Sequence, residues 1–386
     1  MRTTATPAWR QPPRTWDREP VRRPGDPLWA KLCLIFGALV MVVSGTVVGV
    51  PKVLAAWATK NIPQAPMIPA EQLAQSIDGP INLLLLGMDE RTGKEAEDAI
   101  RADTIIIVHI PSTHDKVYMV SLPRDLEVAI PDYPTTGFKG WRTKINAAFA
   151  AGAKTPDGAP DGSLTGRRQG AELTMKTING LVPGGLKFNG AAIINFDGFL
   201  NILKALGGVH MCVDEETRSI HFDKNNKYSY AEVPYNRRKI YPVGCRDFAD
   251  WEALDFARQR HFDDGDYVRQ RHQQQLIMAI VDKIASSGTL TDLGRLKAIQ
   301  ESAGDLLTLD LGATSVEDWA FTLKSLKPSD IVAIKTNGGR VAPVGNGNEK
   351  LTPESQALLK ALHDDTVLQF LTRYPDWVVP KENPPR

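Results

Sequence analysis

Apolar runs separated by charged, glycine-rich or proline-rich stretches dominate the chain from residue 81 onward. The first three runs, INLLLLG, DTIIIVHI and KVYMVSL, are rich in aliphatic residues and bounded by turn or charged residues, which predicts three strands. The PSTHD stretch between the second and third runs is short enough for a hairpin. AAIINF, VHMCV and DIVAIKT predict further strands later in the chain.

Helices are predicted between these strands, in NAAFAAGA, QGAELTMKTINGL, FDGFLNILKAL, WEALDFARQR and DYVRQRHQQQLIMAIVDKIASSG. A polar, glycine-rich loop is expected at residues 155–166, and residues 214–248 show little pattern that assigns them. Interleaved strands and helices predict an α/β or mixed α+β sandwich, in which helices flank a central sheet.

The longest apolar run lies near the N-terminus. Residues 32–50 carry no charge, and as a helix they span roughly 28 Å, close to the hydrocarbon thickness of a bilayer. Six arginines and one lysine precede the run, whereas only two lysines follow it closely. The positive-inside rule therefore predicts a single-pass anchor in the cell membrane, with the N-terminus cytoplasmic and the remainder extracellular. A signal peptide cleaved near VLAAWA is the alternative.

Two of the three cysteines, Cys212 and Cys245, lie in the part of the chain that this topology exports, whereas Cys33 lies in the predicted anchor. An exported pair without a third partner favours a disulfide between Cys212 and Cys245. Two free thiols are the alternative.

Charged residues of both signs lie at the end of the first predicted strand, at the start of the second and at the end of the third. If these strands form an antiparallel meander, one edge of the sheet brings together residues from three separate stretches. They are Asp89, Arg91, Arg101, Asp103, Arg124 and Asp125. Solvated loop charges are the alternative interpretation for any one of them, but their convergence indicates a site.

A second set of polar residues lies on the predicted helix from residue 266. At 100° per residue, Arg269 and Gln273 extend the apolar stripe that contains Leu276, Ile280 and Ile284, while Arg271 is expected to face solvent. Asp266 is suited to cap the helix. Inward-facing Arg269 and Gln273 need partners. The partner is a bound anion near the helix N-terminus or, alternatively, an internal ion pair with Asp263 or Asp264.

Arginines beside carboxylates suit a pyrophosphate bound with a divalent ion. A guanidinium donates in a planar, two-pronged geometry to phosphate oxygens, and carboxylates hold Mg²⁺, which bridges phosphate oxygens. A net charge of +1 argues against a general nucleic-acid binder. The sequence contains no P-loop, kinase signature, zinc-spaced His/Cys cluster or GxSxG elbow.

Eight motifs occur in a fixed order between residues 81 and 284. They are LLLLGMDER, RADTIII, VSLPRD, KINAAFAAG, INFDGF, LGGVHM, ALDFARQR and DYVRQRHQQQ. Each is weak alone, but together, behind an N-terminal anchor, they resemble the LytR-CpsA-Psr proteins of Gram-positive cell envelopes.

The resemblance implies a Mg²⁺-dependent phosphotransferase, with Mn²⁺ as a possible substitute. Its fold would be a central mixed β-sheet flanked by helices, with an apolar tunnel for a polyprenyl chain. Its partners would be a polyprenyl-pyrophosphate-linked glycan, a peptidoglycan acceptor and the membrane. Its cargo would be a teichoic acid, capsule or arabinogalactan polymer. The implied organisation is a disordered cytoplasmic tail (1–31), the anchor (32–50), an extracellular linker (51–78), the catalytic domain (79–290) and a C-terminal extension packed on that domain (291–386).

The resemblance also implies roles for individual residues. Asp89 and Asp103 would bind the metal. The residues implied to be catalytic are Asp89, Asp103, Arg124, Arg258 and Arg260. Those implied to bind the pyrophosphate are Arg101, Arg124, Lys144, Arg258, Arg260, Asp266, Arg269 and Gln273.

The sequence departs from the family pattern at Glu90, where Ser or Thr is frequent, and in the loop from Gly152 to Gly166. The general base is not assigned by the motifs. Two other functions remain open: a polyprenyl pyrophosphate hydrolase, which would use water as the acceptor, and a non-catalytic envelope sensor or scaffold.

Overall fold

The computed structural model describes residues 64–89, 100–259, 266–286, 301–302, 304–323 and 325–380. Within these ranges, no helix is long and apolar enough to cross a membrane. The anchor predicted at residues 32–50 lies outside them, as do the predicted cytoplasmic tail and most of the linker.

The strands follow one another along the chain with short connections. They are β1 (Ile81–Asp89), β2 (Arg101–Ile110), β3 (Val117–Leu122), β4 (Glu127–Ile130), β5 (Trp141–Lys144), β6 (Gly190–Asn195), β7 (Val209–Val213), β8 (Thr217–Asp223), β9 (Arg238–Tyr241), β10 (Gly244–Phe248), β11 (Leu307–Asp310), β12 (Ile331–Ile334), β13 (Pro343–Gly345) and β14 (Asn348–Glu349).

The α-helices lie between and after these strands. They are α1 (Asn146–Gly152), α2 (Leu164–Asn179), α3 (Phe196–Leu206), α4 (Asp250–Arg258), α5 (Asp266–Ser286), α6 (Val316–Leu323), α7 (Pro353–His363) and α8 (Val367–Arg373). The five predicted helices are confirmed as α1 to α5, although α2 begins earlier than expected, with the Ser163 side chain capping it.

The central sheet has the strand order β11-β6-β1-β2-β3-β12. β1, β2 and β3 form the predicted antiparallel meander. β6 runs parallel to β1 and β12 parallel to β3, whereas β11 runs antiparallel to β6. The predicted mixed sheet is therefore confirmed.

Each face of the sheet is covered by helices, which creates two hydrophobic cores. Leu83 and Leu85 pack into the core that includes α3, α4 and α5, and Leu84 and Leu86 pack into the core that includes α1, α2 and α7. Strands that are buried on both faces have little need of polar alternation. This explains why β1 to β3 were visible in the sequence as continuous apolar runs.

The segment that the sequence left unassigned, residues 214–248, contains β8, β9 and β10. β10 pairs antiparallel with β7, and this register places Cys245 opposite Cys212. The predicted disulfide joins these two residues. It closes the base of the segment that carries β8 and β9.

Residues after 290 contribute both outer strands of the central sheet, β11 and β12. The C-terminal segment is thus part of the central sheet, whereas the sequence suggested only an extension packed on the catalytic domain. Within this segment, Glu349 forms a parallel bridge with Leu126, just after β3.

Candidate active site

A β-bulge places Asp103 near the start of β2. Gly87 of β1 lies opposite Thr104, but the next residue, Met88, lies opposite Ala102, so Asp103 is the extra residue. Ala102 and Ile105 consequently belong to the same core, although strict alternation would put them on opposite faces. Bulges of this kind redirect a side chain without ending the strand pair.

Asp103 belongs to a charged cluster that we define as Asp103, Arg124, Asp125, Lys144, Asp266 and Arg269. Its centre is Arg124, which follows β3: Nη1 donates to Asp103 Oδ2 at 2.9 Å, and Nε lies 3.4 Å from Asp266 Oδ1 and 3.6 Å from Asp125 Oδ2. Burial alone would lower the pKa of Arg124, but the three carboxylates outweigh it and raise that pKa. Arg124 is thus a permanently charged group held by three acids.

Two residues from the β5–α1 region complete one side of the charged cluster. Lys144 Nζ donates to Asp125 Oδ1 at 2.6 Å, and Asn146 Nδ2 donates to Asp103 Oδ1 at 3.3 Å. Lys144 was predicted to be a site residue, but Asn146 was not, although the KIN motif contains both residues. The signal in the sequence was an amide residue two positions after Lys144 in this motif.

Arg269 closes the cluster from α5. It is only 2% exposed, and its Nη2 donates to Asp266 Oδ1 at 2.6 Å and to the backbone oxygen of Asp103 at 3.1 Å. The prediction that Arg269 faces inward is confirmed. Three cations and three carboxylates balance here, so an incoming anion would have to exchange with carboxylates for the same donors.

The sequence predicted a narrower buried face for α5 than the structure shows. His272 and Gln274 are also fully buried, because neighbouring segments cover α5 on more than one side. Arg271 was expected to face solvent, but its side chain is 19% exposed and lies 2.5 Å from Asp214 Oδ2 and 2.7 Å from Glu215 Oε1. The prediction was wrong because residues 214–215, just after β7, could not be placed from the sequence.

An apolar cavity, partly open to solvent, lies next to the charged cluster, between the central sheet and α3, α4 and α5. Its walls include Leu85, Ile106, Ile194, Phe199, Leu276 and Ile277. Thr104, which directly follows Asp103 in β2, also lines the cavity. A charged site and an apolar cavity therefore meet at two consecutive residues.

Arg258 and Gln273 supply polar groups to the same cavity. The Arg258 guanidinium carbon lies 4.1 Å from the ring centroid of Phe196, a cation–π contact that fixes the side chain at the end of α4. Gln273 lies one helical turn after Arg269 on α5, as the sequence predicted.

A buried tyrosine–glutamate pair supports the cluster from the C-terminal segment. Tyr267 Oη donates to Glu349 Oε2 at 2.6 Å, and the Glu349 backbone N–H donates to the Asp125 carbonyl at 3.1 Å. Burial, together with the charges of Asp266 and Asp125, raises the pKa of Glu349 to about 7. This pair could not be predicted from the sequence, because the two residues are 82 positions apart and no local pattern joins them.

Comparison with known proteins decides the family. The model described as the LytR_cpsA_psr family matches residues 51–364, well over half of the chain. The chain belongs to the LytR_cpsA_psr family. The resemblance drawn from the eight motifs is confirmed.

Individual members of the LytR_cpsA_psr family show the extent of the similarity. A polyisoprenyl-teichoic acid–peptidoglycan teichoic acid transferase, TagU of Bacillus cereus, is 29% identical over 242 residues, which is 62% of this chain and 64% of that protein. The TagU of Oceanobacillus iheyensis is 31% identical over 217 residues, 56% of this chain and 55% of that protein. The matched part of the chain spans less than two thirds of either relative.

The fold is shared with solved members of the family. The crystal structure of B. subtilis TagV superposes with a TM-score of 0.52 at 18% sequence identity, covering 75% of this chain and 98% of that one. At this level of identity the likeness supports the mixed α/β fold and nothing finer.

The residues to which the LytR_cpsA_psr resemblance gave roles fall into four groups. Those brought together in the charged cluster are Asp103, Arg124, Lys144, Asp266 and Arg269, while Arg258 and Gln273 line the cavity. Arg101 is exposed at the start of β2, with its backbone paired to that of Asp89. The Asp89 side chain and all of Arg260 lie outside the described residues.

The chemistry of the carboxylates fits a hard divalent cation. Among the described residues there is no group of three or more His, Cys, Asp or Glu side chains that could hold a metal alone. Mg²⁺ is commonly bound by only one or two carboxylates, with water and substrate phosphate completing its shell. Asp103 lies on β2 two positions after Arg101, the residue opposite Asp89. Its carboxylate meets the requirement for one or two carboxylate ligands.

Proposed function

We propose that this protein transfers a glycopolymer from a polyprenyl pyrophosphate carrier to peptidoglycan and forms a phosphodiester link. The polymer would be of the teichoic acid, capsule or arabinogalactan type. The observation that carries the proposal is the junction of the charged cluster with the apolar cavity at Asp103 and Thr104. A polyprenyl pyrophosphate has the matching form, an anionic head joined to an apolar chain. The names of the TagU relatives support the same reaction.

The proposed step moves one phosphoryl group. The oxygen of an acceptor hydroxyl bonds to the phosphorus that carries the glycan, the anhydride bond to the second phosphorus breaks, and polyprenyl monophosphate leaves. The hydroxyl proton passes to a base. Negative charge builds on the departing phosphate, where oriented cationic donors stabilise the transition state more than the ground state.

Arg124 and Arg269 are the described cations best placed to bind the pyrophosphate. Arg124 contacts Asp103 and Arg269 contacts Asp266, and phosphate oxygens would replace part of these contacts. A planar guanidinium can serve two oxygens at once, which a lysine ammonium cannot do in the same geometry. Lys144 would add a compact charge from β5.

Arg258 would bind the pyrophosphate at the side of the cavity. Its stacking on Phe196 limits its motion, so less side-chain entropy is lost when phosphate binds. We extend the same role to Arg260 and Arg101, and we assign Gln273 a hydrogen bond to the head group. The lipid chain would occupy the cavity lined by Leu85, Ile106 and Leu276 among others.

Mg²⁺, or Mn²⁺ in its place, would be held by Asp103 and Asp89 and would neutralise charge on the phosphate oxygens. In that state Arg124 would be released from Asp103 toward the substrate. We further propose that residues 32–50 anchor the chain in the cell membrane with the catalytic region outside, as the distribution of arginines predicts.

The test is an assay of the full-length protein with a lipid-linked glycan labelled in its sugar and a peptidoglycan fragment as acceptor. We expect Mg²⁺-stimulated appearance of label in the peptidoglycan. Label released as free glycan phosphate would instead indicate a hydrolase. Saturable lipid binding without turnover, with any acceptor or with water, would indicate a scaffold. Degradation of the domain by protease added to intact protoplasts tests the topology, and full protection would contradict it.

A further inference from the structure

The disulfide encloses a segment that the proposed reaction does not use. Residues 217–243, between Cys212 and Cys245, contain β8, β9 and the loop that joins them. Several of the most exposed aromatic side chains of the described protein lie here: Tyr230 is 91% exposed, Tyr235 66% and Tyr228 47%. Large rings in water are unfavourable unless they have a partner.

These rings form a connected surface. Trp251 packs on Phe222 with centroids 4.4 Å apart, Phe222 contacts Tyr228 at 5.3 Å, and Tyr228 contacts Tyr230 at 5.2 Å. The ring of Tyr235 lies within cation–π distance of two arginines, Arg218 and Arg238. We call this set of rings, with the basic residues around it, the basic aromatic surface.

The basic aromatic surface carries an excess of positive charge, although four of its six basic residues pair with acids. Residues 217–243 contain six basic and two acidic residues, a net charge of +4, while the whole chain carries +1. Arg218, Arg238 and Lys239 pair with acids that flank or lie within the segment. Lys224 and Lys227, at the tip beside Tyr228, are exposed. The surface therefore favours a ligand with negative charge.

Contacts join this surface to the arginine side of the proposed active site. The Ile220 backbone N–H donates to Gln259 Oε1 at 2.9 Å, and Gln259 directly follows Arg258. Gln259 is buried and also donates to Asp255, whose other oxygen accepts from Tyr241 of β9. The surface is thus fixed next to Arg258, outside the apolar cavity.

We propose that the basic aromatic surface binds the acceptor, a peptidoglycan strand whose stem peptides carry carboxylates. This inference rests on the proposed function and adds a binding site to it. The donor already has the cavity and the charged cluster, whereas a polymeric acceptor needs its own site beside them. Tyrosine faces pack against sugar rings, and the lysines match the peptide carboxylates.

The composition of the loop favours a glycan over a membrane. Its tip presents Asn225, Asn226 and Ser229 between the lysines and tyrosines. Amide and hydroxyl groups can hydrogen-bond to sugar hydroxyls, whereas a loop that inserts into a lipid interface would carry more aliphatic residues.

The first experiment measures binding of the full-length protein in detergent to isolated peptidoglycan freed of attached polymers. Tyr228→Ala and Tyr230→Ala should each weaken binding roughly fivefold, and the double charge reversal Lys224→Glu with Lys227→Glu should weaken it more at low salt. Phe321→Ala, a matched exposed aromatic on α6 at 65% exposure, should leave binding unchanged. Wild-type binding by all of the surface variants would overturn the proposal.

The second experiment separates acceptor from donor and from membrane. In the transfer assay, Tyr230→Ala should raise KM for peptidoglycan and leave KM for the lipid-linked donor unchanged; the reverse would overturn the assignment. A wild-type protein that binds peptidoglycan through these tyrosines but transfers nothing would refute the proposed function alone. Trypsin cleavage at Lys224 and Lys227 in neutral proteoliposomes should be blocked by added peptidoglycan. Protection that requires phosphatidylglycerol instead would assign the surface to the membrane.

Discussion

Arg124 donates to Asp103 at 2.9 Å, and the two residues come from the loop after β3 and the bulge of β2. This contact links the residue proposed to bind pyrophosphate with a residue proposed to bind metal. An arginine that is paired with a carboxylate is held in place before the substrate arrives. Asp103 would be one of the residues that hold Mg²⁺, and the Arg124 guanidinium would bind phosphate oxygens.

Replacement of Arg124 by Ala should lower the transfer rate by about a hundred- to a thousandfold, because one oriented donor to the developing charge is lost. Arg142→Ala is the matched control, since Arg142 is 67% exposed and pairs only peripherally with Glu127. We expect the control to retain near wild-type activity in the labelled-glycan assay. Equal losses in both variants would show that the effect does not arise at the charged cluster.

Glu349 should make the stability of the protein depend on pH. Its pKa is raised to about 7 from an ordinary 4.5, so between these values the folded protein binds more protons than the unfolded chain, and stability falls as the pH rises. In Glu349→Gln the free energy of unfolding should no longer fall in this way. Relative to wild type, it should increase by up to about 3 kcal/mol between pH 4 and pH 8. Urea unfolding at both pH values measures it; a difference between the proteins that does not change with pH would contradict the assignment.

Gly87→Ala should destabilise the protein and disturb lipid binding. An added Cβ would lie 2.8 Å from Thr104 Cβ, at the bulge and at the cavity wall, and such overpacking typically costs about 1–3 kcal/mol. Gly79→Ala is the control, because nothing lies within 4 Å of its added Cβ. We expect a lower thermal midpoint and weaker polyprenyl phosphate binding for Gly87→Ala alone. Similar midpoints for both variants would show that the cavity wall accommodates the added methyl group without loss of stability.

Removal of the disulfide by Cys212→Ser with Cys245→Ser should destabilise the protein by roughly 3–4 kcal/mol in the chain-entropy model, for a sequence separation of 33 residues. The basic aromatic surface should become more sensitive to proteolysis than the central sheet, because the bond closes the base of that segment. Peptide mapping without reduction checks the pairing itself. Recovery of both cysteines as free thiols from exported protein would refute it in the cell.

The sequence predicts the central sheet well for a physical reason. β1 to β3 are buried on both faces, so their apolar runs are unambiguous, and short connections make the meander the simplest pairing. The convergence of Asp103 and Arg124 followed from that meander. The bulge at Asp103 did not, because an extra residue in one strand leaves little trace in a run of apolar side chains.

Long-range contacts were the part that sequence could not supply. Arg271 pairs with Asp214 across 57 positions, and Glu349 reaches Tyr267 from a segment with no helical or strand periodicity. β8 and β9 are largely half-buried and rich in polar and charged residues, so no apolar run marks them in the sequence. The basic aromatic surface lies mainly in these strands and their loop, so the sequence did not predict it.

The measurement that tests the central claim most directly is the identity of both products of a single turnover. The account predicts polyprenyl monophosphate and a glycan joined to peptidoglycan through one phosphodiester, in equal amounts, by mass spectrometry of the lipid and of the digested peptidoglycan. Release of polyprenyl pyrophosphate, with the sugar joined directly to the acceptor, would contradict phosphoryl transfer at the charged cluster.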